Sequence, residues 1–203
     1  MPPQYFSLKN AQFQFLEMKK ILFPTLILAA SLAAVAFTFH KNTPPVAEKI
    51  KWYSWQEAAE MQKTAPRKLL VDVYTDWCGW CKVMDKQTFT NDTIADYLNK
   101  YFYCVKFNAE QRDSIRFDGK SFGYVSAEQG GGRNGIHTLA YALLDGNMGY
   151  PSIVYLTEKY ERVVVSSGYK KPNQLLPELR FTAEEAYKNT SWNEFMKVNG
   201  VKE

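Results

Sequence analysis

With 203 residues, of which 46% are hydrophobic and 23% charged, the chain can form a domain with a substantial core and lacks the composition of a disordered protein. The formal net charge is only +4, and the basic residues are scattered among acidic ones, which argues against nucleic-acid binding. Three cysteines are too few for a fold stapled by disulfides, so one working pair and one unpaired thiol is the simplest account.

An uncharged stretch near the start of the chain predicts export. Residues 21–39 contain no charged side chain and directly follow Lys19 and Lys20, as in a signal peptide or an N-terminal membrane anchor. The stretch exceeds the usual signal core of roughly 7–15 residues and just reaches the length of a spanning helix. Residues 34–36 read Ala-Val-Ala, a cleavage pattern, so cleavage and anchoring both stay open, with a buried core helix as a third interpretation.

The same segment predicts where the exported part begins. Met18 opens a sequence typical of a bacterial export signal, which suggests that residues 1–17 are a mis-called upstream start and residues 18–40 the signal peptide or anchor. Residues 41–48 include two adjacent prolines and are predicted to be a linker. We therefore expect the protein in the bacterial periplasm or cell envelope, touching the membrane only through an uncleaved N-terminal segment.

A well-marked helix precedes the central strand. Ser54 and Glu57 have the spacing of a capping box for a helix over residues 55–63. Residues 68–75 are mostly apolar and predict a central strand buried on both faces. Asp72 lies within this strand and, as a buried acid, needs either a partner or a role in proton transfer.

Turn and cap signals place the other elements. In chain order these are a strand over residues 50–53, a helix over 78–87, a helix after Asn91, a strand over 101–107, a helix after Asn134, a strand over 153–156, its antiparallel neighbour over 162–166 and a helix from about residue 173. Residues 108–134 are polar and contain several glycines, and predict a long surface excursion outside the core. Pro177 is expected to limit the start of the last helix, and the tail over residues 191–203 to fold back onto the domain. This order predicts an α/β fold with a mixed central β-sheet and helices on both faces.

Two cysteines form the motif that carries the chemistry. Cys78 and Cys81 stand directly after the buried strand and at the start of a predicted helix, as expected of a dithiol that cycles with a disulfide. The helix N-terminus stabilises a thiolate at Cys78, which predicts that Cys78 attacks a substrate disulfide and that Cys81, one turn further on, resolves the mixed disulfide. A structural disulfide or half a zinc site are the alternatives. No second Cys-x-x-Cys or His-x-His cluster accompanies the motif, so no metal ligand is assigned.

The sequence around these cysteines resembles the active-site strand and helix of thioredoxins. The resemblance rests on residues 71–82, Val-Asp-Val-Tyr-Thr-Asp-Trp-Cys-Gly-Trp-Cys-Lys, and on residues 149–154, Gly-Tyr-Pro-Ser-Ile-Val, which resemble the cis-proline loop. Residues 81–89 are more similar to exported thioredoxin-like proteins and to the periplasmic C-terminal domain of DsbD-type disulfide reductases. The resemblance implies a thioredoxin-like fold over residues 49–190, with an insertion at about residues 109–146.

The resemblance also assigns roles to other residues. Asp72 matches the buried acid of thioredoxins and Lys106 the lysine beside it, which implies that they take the proton from Cys81. A satisfied structural acid and a solvated surface lysine are the alternatives. Pro151 is expected to be cis and to lie beside Cys78. The residues predicted to contact substrate are Trp77, Gly79, Trp80, Tyr150 and Pro151.

These features predict an exported thiol-disulfide oxidoreductase that exchanges disulfides with proteins, as a reductase or isomerase. No cofactor is expected beyond the redox-active disulfide itself. The expected partners are protein thiols and disulfides, and the expected reductant is a membrane electron donor of the DsbD type. Trp80 stands where thioredoxins have proline, which leaves the redox potential open. The alternative is a non-catalytic thioredoxin-fold module that binds a partner through a groove at Tyr150.

Three features outside the motif have more ordinary interpretations. Cys104 lies in a predicted strand and reads as a small buried apolar side chain. His137 lies on a predicted helix and reads as a packing or surface residue instead of a base. Residues 130–133, Gly-Gly-Gly-Arg, could cradle an anion but are more typical of a flexible loop.

Overall fold

The computed structural model describes residues 49–199. The predicted upstream start, export segment and linker, all within residues 1–48, lie outside the described residues, as do residues 200–203 of the predicted tail. Across residues 49–199, no helix combines the length and the apolar character needed to cross a membrane.

The described part of the chain contains nine strands and six α-helices. The strands are β1 Trp52–Tyr53, β2 Lys68–Tyr74, β3 Phe102–Asn108, β4 Ile115–Phe117, β5 Lys120–Phe122, β6 Tyr124–Val125, β7 Ile136–His137, β8 Ser152–Leu156 and β9 Arg162–Ser167. The helices are α1 Trp55–Gln62, α2 Gly79–Gln87, α3 Asp92–Tyr101, α4 Thr138–Leu143, α5 Pro172–Ala183 and α6 Trp192–Val198. Short 3₁₀ turns occupy Ala127–Gln129 and Ala186–Lys188.

Five strands form the central sheet, in the order β1-β3-β2-β8-β9. The inner strand β2 runs parallel to β3 and antiparallel to β8, and Asp72 pairs in register with Lys106 on one side and Ile153 on the other. The sheet is therefore mixed, as predicted. Its central strand leads directly into the loop that carries Cys78.

Alternate residues of β2 point into two separate cores, because successive side chains of a strand lie on opposite faces. Val71 and Val73 are buried on one face, against Trp55 of α1 and Leu139 of α4. Leu70 is buried on the other face. The residues packed with it come from α2, α3 and α5, and include Met84, Leu98, Leu175 and Leu179. Helices cover both faces of the sheet, which confirms the predicted architecture.

The predicted helix caps are present. The hydroxyl of Ser54 accepts the N–H of Glu57 at 3.2 Å, and the Glu57 carboxylate accepts the N–H of Ser54 at 2.7 Å, which completes the capping box of α1. At α3, Oδ1 of Asn91 accepts the N–H of Ile94 at 3.2 Å. Each cap satisfies a helix N–H that has no partner within the helix, and such a cap contributes about 1 kcal/mol to stability.

The last two helices differ from the prediction in one respect. Pro177 lies inside α5, which begins at Pro172, so the expectation that Pro177 limits the start is wrong. Pro172 at the first helical position supplies the φ angle that a helix needs and has no N–H to leave unpaired. The helix α6 packs against α5 through Phe181, whose ring lies 5.3 Å from that of Trp192 and 5.1 Å from that of Phe195, measured between centroids.

Residues 108–134 hold more structure than their polar composition predicts. β4 and β5 form one antiparallel hairpin, and β6 pairs with β7 in a second antiparallel ladder. Ala109 and Ile115 are completely buried and belong to the same core as Trp55. The prediction of an excursion outside the core is wrong at this point, because single apolar residues fix these short strands to the domain.

The helix after this segment also starts later than predicted. Asn134 does not cap it; Ile136 and His137 form strand β7, and α4 begins at Thr138 with His137 as its N-cap. Helical spacing of apolar residues placed Ile136 on the helix, but its pairing with β6 overrides that local pattern.

His137 connects α4 to the segment that precedes it. The side chain is completely buried, and its Nδ1 accepts the N–H of Leu139 at 3.2 Å. Since Nδ1 is the acceptor, Nε2 carries the ring proton and donates to the carbonyl of Asp113 at 3.1 Å. Burial lowers the pKa of His137, and the hydrogen bond to Asp113 opposes this shift only in part. The neutral ring is therefore the form that fits the fold.

Replacing His137 with glutamine is expected to remove a contribution to the free energy of unfolding that is present at neutral pH and lost in acid. The unfolded chain binds a proton at this histidine near its ordinary pKa of 6.5, whereas the folded protein binds it only at lower pH. The contribution of His137 is thus complete above about pH 6.5 and is lost as the pH falls toward the lower folded pKa. Urea unfolding at pH 8 and pH 5 measures it. The wild-type advantage over His137→Gln should shrink at pH 5, and an equal difference at both pH values would contradict this assignment.

Candidate active site

The loop after β2 places two cysteines at the start of α2. Cys78 is the N-cap residue, and its N–H donates to the carbonyl of Thr75 at 3.1 Å. Cys81 lies in the first turn, and its N–H donates to Sγ of Cys78 at 3.1 Å. The two sulfurs form a disulfide, with only 4% of Cys78 and 3% of Cys81 exposed. Both residues could be found from the sequence because they stand close together, between a predicted strand and a predicted helix.

The position of Cys78 explains how the two sulfurs differ chemically. A helix N-terminus carries a partial positive charge and unpaired N–H groups, which stabilise an anion there. In the oxidised protein Sγ of Cys78 already accepts the N–H of Cys81. After reduction the same donor would favour a thiolate at Cys78, which is the form that attacks disulfides.

Two exposed indoles flank the disulfide. Trp77 is 59% exposed and meets the ring of Tyr150 edge-on at 5.9 Å between centroids. Trp80 is 62% exposed and lies 5.5 Å from the ring of Tyr169. At Gly79, between the two cysteines and next to Trp80, an added Cβ would meet no atom within 4 Å, so the surface there is open. The buried sulfurs are therefore ringed by large apolar groups that an incoming chain can contact.

The loop before β8 supplies the other side of the site. The Tyr150–Pro151 peptide bond is cis, as expected. The carbonyl of Pro151 accepts the N–H of Gly168 at 2.8 Å, and the hydroxyl of Ser152 donates to the carbonyl of Gly149 at 2.7 Å. The first bond ties the loop to the residue that follows β9, the second closes the loop on itself, and the ring contact between Trp77 and Tyr150 joins it to the cysteine loop.

Asp72 and Lys106 are neighbours on adjacent strands. Lys106 Nζ donates to Oδ2 of Asp72 at 2.5 Å, while Oδ1 of the same carboxylate is buried without a partner among the described residues. Burial raises the pKa of Asp72 to about 6, and Lys106 offsets part of that shift. Asp72 thus has the partner that a buried acid needs, and it exchanges its proton near neutral pH.

A second carboxylate shares Lys106, and sequence reasoning missed it. Asp85 of α2 forms an ion pair with the Lys106 ammonium, and 43% of its side chain is exposed. The aromatic rings around the same ammonium are those of Trp52, Tyr74 and Phe89. Asp85 lies four residues after Cys81 on the same helix, which is one turn, and this spacing is the signal that could have identified it.

The inserted segment also reaches the site. Oε1 of Glu110 accepts the indole N–H of Trp77 at 2.8 Å and the side-chain N–H of Asn134 at 3.1 Å. These partners lie 33 and 24 residues away from Glu110 along the chain. No local pattern connects them, so this network was absent from the prediction.

Two other sequence candidates have structural roles. Cys104 is buried in β3, and burial raises the pKa of its thiol well above the usual range, which fits the apolar role expected of it. His137 serves as the cap of α4. In the stretch from residue 49 to residue 199, no group of three or more histidine, cysteine, aspartate or glutamate side chains could hold a metal ion.

A mixed sheet covered by helices on both faces, with a Cys-x-x-Cys disulfide at a helix N-terminus and a cis-proline loop beside it, defines the thioredoxin-fold class. The family described as Thioredox_DsbH, protein of unknown function, DUF255, matches residues 40–196. This match covers more than half of the chain, and the chain belongs to that family.

Solved structures show the same fold. A DsbH oxidoreductase aligns with a TM-score of 0.51 and 14% identity, over 72% of this chain and 92% of the other. A thioredoxin-fold protein from Helicobacter pylori aligns with a TM-score of 0.51 and 17% identity, over 66% and 85% of the two chains. At these identities the likeness concerns the fold alone.

Curated relatives match a shorter region. An uncharacterized protein of Caenorhabditis elegans is 34% identical over 94 residues, which is 46% of this chain and 12% of the relative. Spermatogenesis-associated protein 20 of Mus musculus is 32% identical over 84 residues, 41% of this chain and 10% of the relative. The matched region spans about a tenth of the length of these proteins.

Proposed function

We propose that the protein is a thiol-disulfide oxidoreductase that reduces or isomerises disulfides of other proteins. The observation that carries this proposal is the Cys78–Cys81 disulfide at the N-terminus of α2, set between exposed Trp77 and Trp80 and beside the loop of Tyr150. A purely structural disulfide would not need two large apolar side chains held in solvent around it.

The reaction is a pair of thiol-disulfide exchanges. In the reduced protein, the Cys78 thiolate attacks one sulfur of the substrate disulfide, forms a mixed disulfide and releases the other substrate sulfur as a thiolate. The thiolate of Cys81 then attacks Sγ of Cys78, forms the intramolecular disulfide and releases the second substrate thiol. The substrate gains two electrons, and the Cys78–Cys81 pair loses two. A dithiol reductant must then return the pair to its reduced form.

Proton transfer is assigned to Asp72. Cys81 must lose a proton before it attacks, and a carboxylate with a pKa of about 6 can accept one at neutral pH. Lys106 and the half-exposed Asp85 offer a polar connection from Asp72 toward solvent. Asp72 belongs to the strand that leads into the cysteine loop, which supports this role.

The direction of electron flow depends on the redox potential of the cysteine pair. We favour reduction or isomerisation, since residues 81–89 resemble DsbD-type reductases. Equilibration with glutathione or dithiothreitol buffers measures the potential. A value near about −270 mV would support a reductase, whereas one near about −120 mV would make the protein an oxidant.

The proposed activity is tested by insulin reduction with dithiothreitol as the reductant. The protein should accelerate precipitation of the insulin B chain well above the rate with dithiothreitol alone. The control is the same protein, reduced and then alkylated at its accessible cysteines. Equal rates for the native and the alkylated protein would refute the oxidoreductase proposal and favour a non-catalytic module that binds a partner at Tyr150.

We also propose that the protein works outside the cytoplasm and is reduced by a membrane donor of the DsbD type. Support comes from the two lysines before an uncharged stretch over residues 21–39 and from the need for a reductant in an oxidising compartment. Mass spectrometry of the mature N-terminus is the test. A start at Phe37 would indicate cleavage and a start at Met18 an anchor, whereas peptides that contain Tyr5 would exclude the shorter start.

A further inference from the structure

A groove of about 370 Å³ begins at the active site and continues onto the inserted segment. Its active-site wall is formed by Trp77, Met148 and Tyr150, and the opposite wall by the loop over residues 131–135. Trp77 immediately precedes Cys78, and Tyr150 immediately precedes the cis proline, so the groove is lined by the chain neighbours of both. This volume lies at the lower end of the range of ligand clefts.

The loop wall is held in place by close backbone packing. A Cβ added at Gly131 would lie 2.0 Å from the carbonyl oxygen of Val125, so only glycine fits. Gly135 has φ of +79°, and a Cβ there would lie 2.1 Å from the hydroxyl oxygen of Tyr124. That hydroxyl donates to the carbonyl of Asn134 at 2.7 Å. The sequence thus specifies the position of this wall relative to the hairpin of β6 and β7.

The two charged residues in the groove differ in their partners. Oε1 of Glu110 accepts hydrogen bonds from Trp77 and Asn134, two neutral donors that hold the carboxylate in place without neutralising its negative charge. The guanidinium of Arg133 is exposed and forms no ion pair or hydrogen bond with any other residue between 49 and 199. The groove therefore combines an apolar wall at the sulfurs with a positive charge that is available to a ligand.

We propose that this groove holds the polypeptide substrate beside its disulfide and selects segments that carry an apolar side chain and, next to it, an acidic residue. The apolar side chain packs against Trp77, Met148 and Tyr150, and the carboxylate pairs with Arg133. This inference rests on the proposed oxidoreductase function and adds a substrate class to it. The groove binds and orients; no bond forms or breaks there beyond the exchange at the sulfurs.

Single-turnover reduction of matched peptides tests the inference. The full protein is reduced with dithiothreitol, freed of excess reductant and mixed with synthetic peptides that contain one disulfide. Four peptides are used, which differ only in the two residues beside one half-cystine. These two residues are leucine-aspartate, leucine-asparagine, leucine-lysine or glycine-aspartate. Each rate is divided by the rate of the same variant with 2,2′-dithiodipyridine, a small neutral disulfide, which removes differences in intrinsic thiol reactivity.

The expected preference is modest because Arg133 is exposed. At low ionic strength the wild type should reduce the leucine-aspartate peptide about two- to fivefold faster than the asparagine peptide, as is typical of an exposed ion pair. Arg133→Gln should remove this preference, and Arg133→Glu should reverse it in favour of the lysine peptide. Replacing leucine with glycine should slow the reaction of the wild type. Lys120→Gln, which removes one exposed positive charge of the inserted segment from β5, is the matched control and should leave every ratio unchanged.

Two results would overturn the inference, and they can be told apart. If all peptides are reduced but the acidic preference is absent, or survives in Arg133→Gln, the groove does not select substrates and the oxidoreductase proposal stands. If no peptide and no small disulfide is reduced even by the wild type, the proposed function fails and the inference fails with it.

Discussion

Replacing Cys78 with serine is expected to abolish the catalysed reduction of insulin, which leaves only the rate with dithiothreitol alone. A serine hydroxyl cannot form the mixed disulfide, and the N-terminus of α2 then has no thiolate to stabilise. The matched control is Cys104→Ala, which removes the third cysteine but leaves the disulfide intact. Turnover by Cys78→Ser equal to that of the wild type would rule out the mechanism.

The complementary variant Cys81→Ser separates the roles of the two cysteines. Cys78 can still attack, but no resolving thiol remains, so the substrate should stay attached through a mixed disulfide. Non-reducing electrophoresis should show a product larger by the mass of the substrate, which disappears on reduction. If Cys78→Ser traps substrate and Cys81→Ser does not, the assignment of attacking and resolving cysteine must be exchanged.

Replacing Asp72 with asparagine is expected to stabilise the protein at alkaline pH. Because burial raises the folded pKa of this carboxyl to about 6 from an ordinary value of 3.8, the folded state holds the proton more tightly than the unfolded chain does. Stability is therefore lost as the pH rises from about 4 to about 6, and the whole penalty is present above that range. The shift, which already includes the opposing effect of Lys106, corresponds to roughly 3 kcal/mol, and we expect Asp72→Asn to recover a large part of it.

Urea unfolding between pH 4 and pH 8 measures this difference. The gain from Asp72→Asn should be present at pH 8 and nearly absent at pH 4, whereas Asp85→Asn, which removes the more exposed partner of the same lysine, should change little at either pH. Parallel stability profiles for the wild type and Asp72→Asn would show that the carboxyl is not desolvated as described. Single-turnover reduction should at the same time become slower in Asp72→Asn, because the proposed proton acceptor is missing.

The parts of the site that lie close together in sequence could be predicted, and those joined by distant contacts could not. Cys78, Cys81 and Asp72 belong to one strand-loop-helix unit, whose apolar run and cap signals show their order directly. Lys106 was placed beside Asp72 through the resemblance to a known family, and the strand register bears out that neighbourhood. Glu110, in contrast, depends on a loop that only the folded chain brings to Trp77.

The errors in the fold have a related cause. Local periodicity placed Ile136 on a helix, but in the structure Ile136 pairs with Val125 of β6. Ile115 is a single apolar residue in a polar stretch, so no periodic pattern marked it as part of the core, where it is completely buried. The last helix begins at Pro172, one residue before the predicted start, and Pro177 lies within it without limiting that start.

The burial of Cys104 makes the protein convenient for chemical labelling. An alkylating reagent reacts with thiolates, and this thiol is both enclosed in the sheet and held protonated by its raised pKa. The native reduced protein should therefore take up label only at its active-site pair, first at Cys78, and the native oxidised protein none, while Cys104 is labelled only after unfolding. A single mass spectrum of the labelled chain thus reports both whether its active-site pair is reduced and whether the molecule is folded.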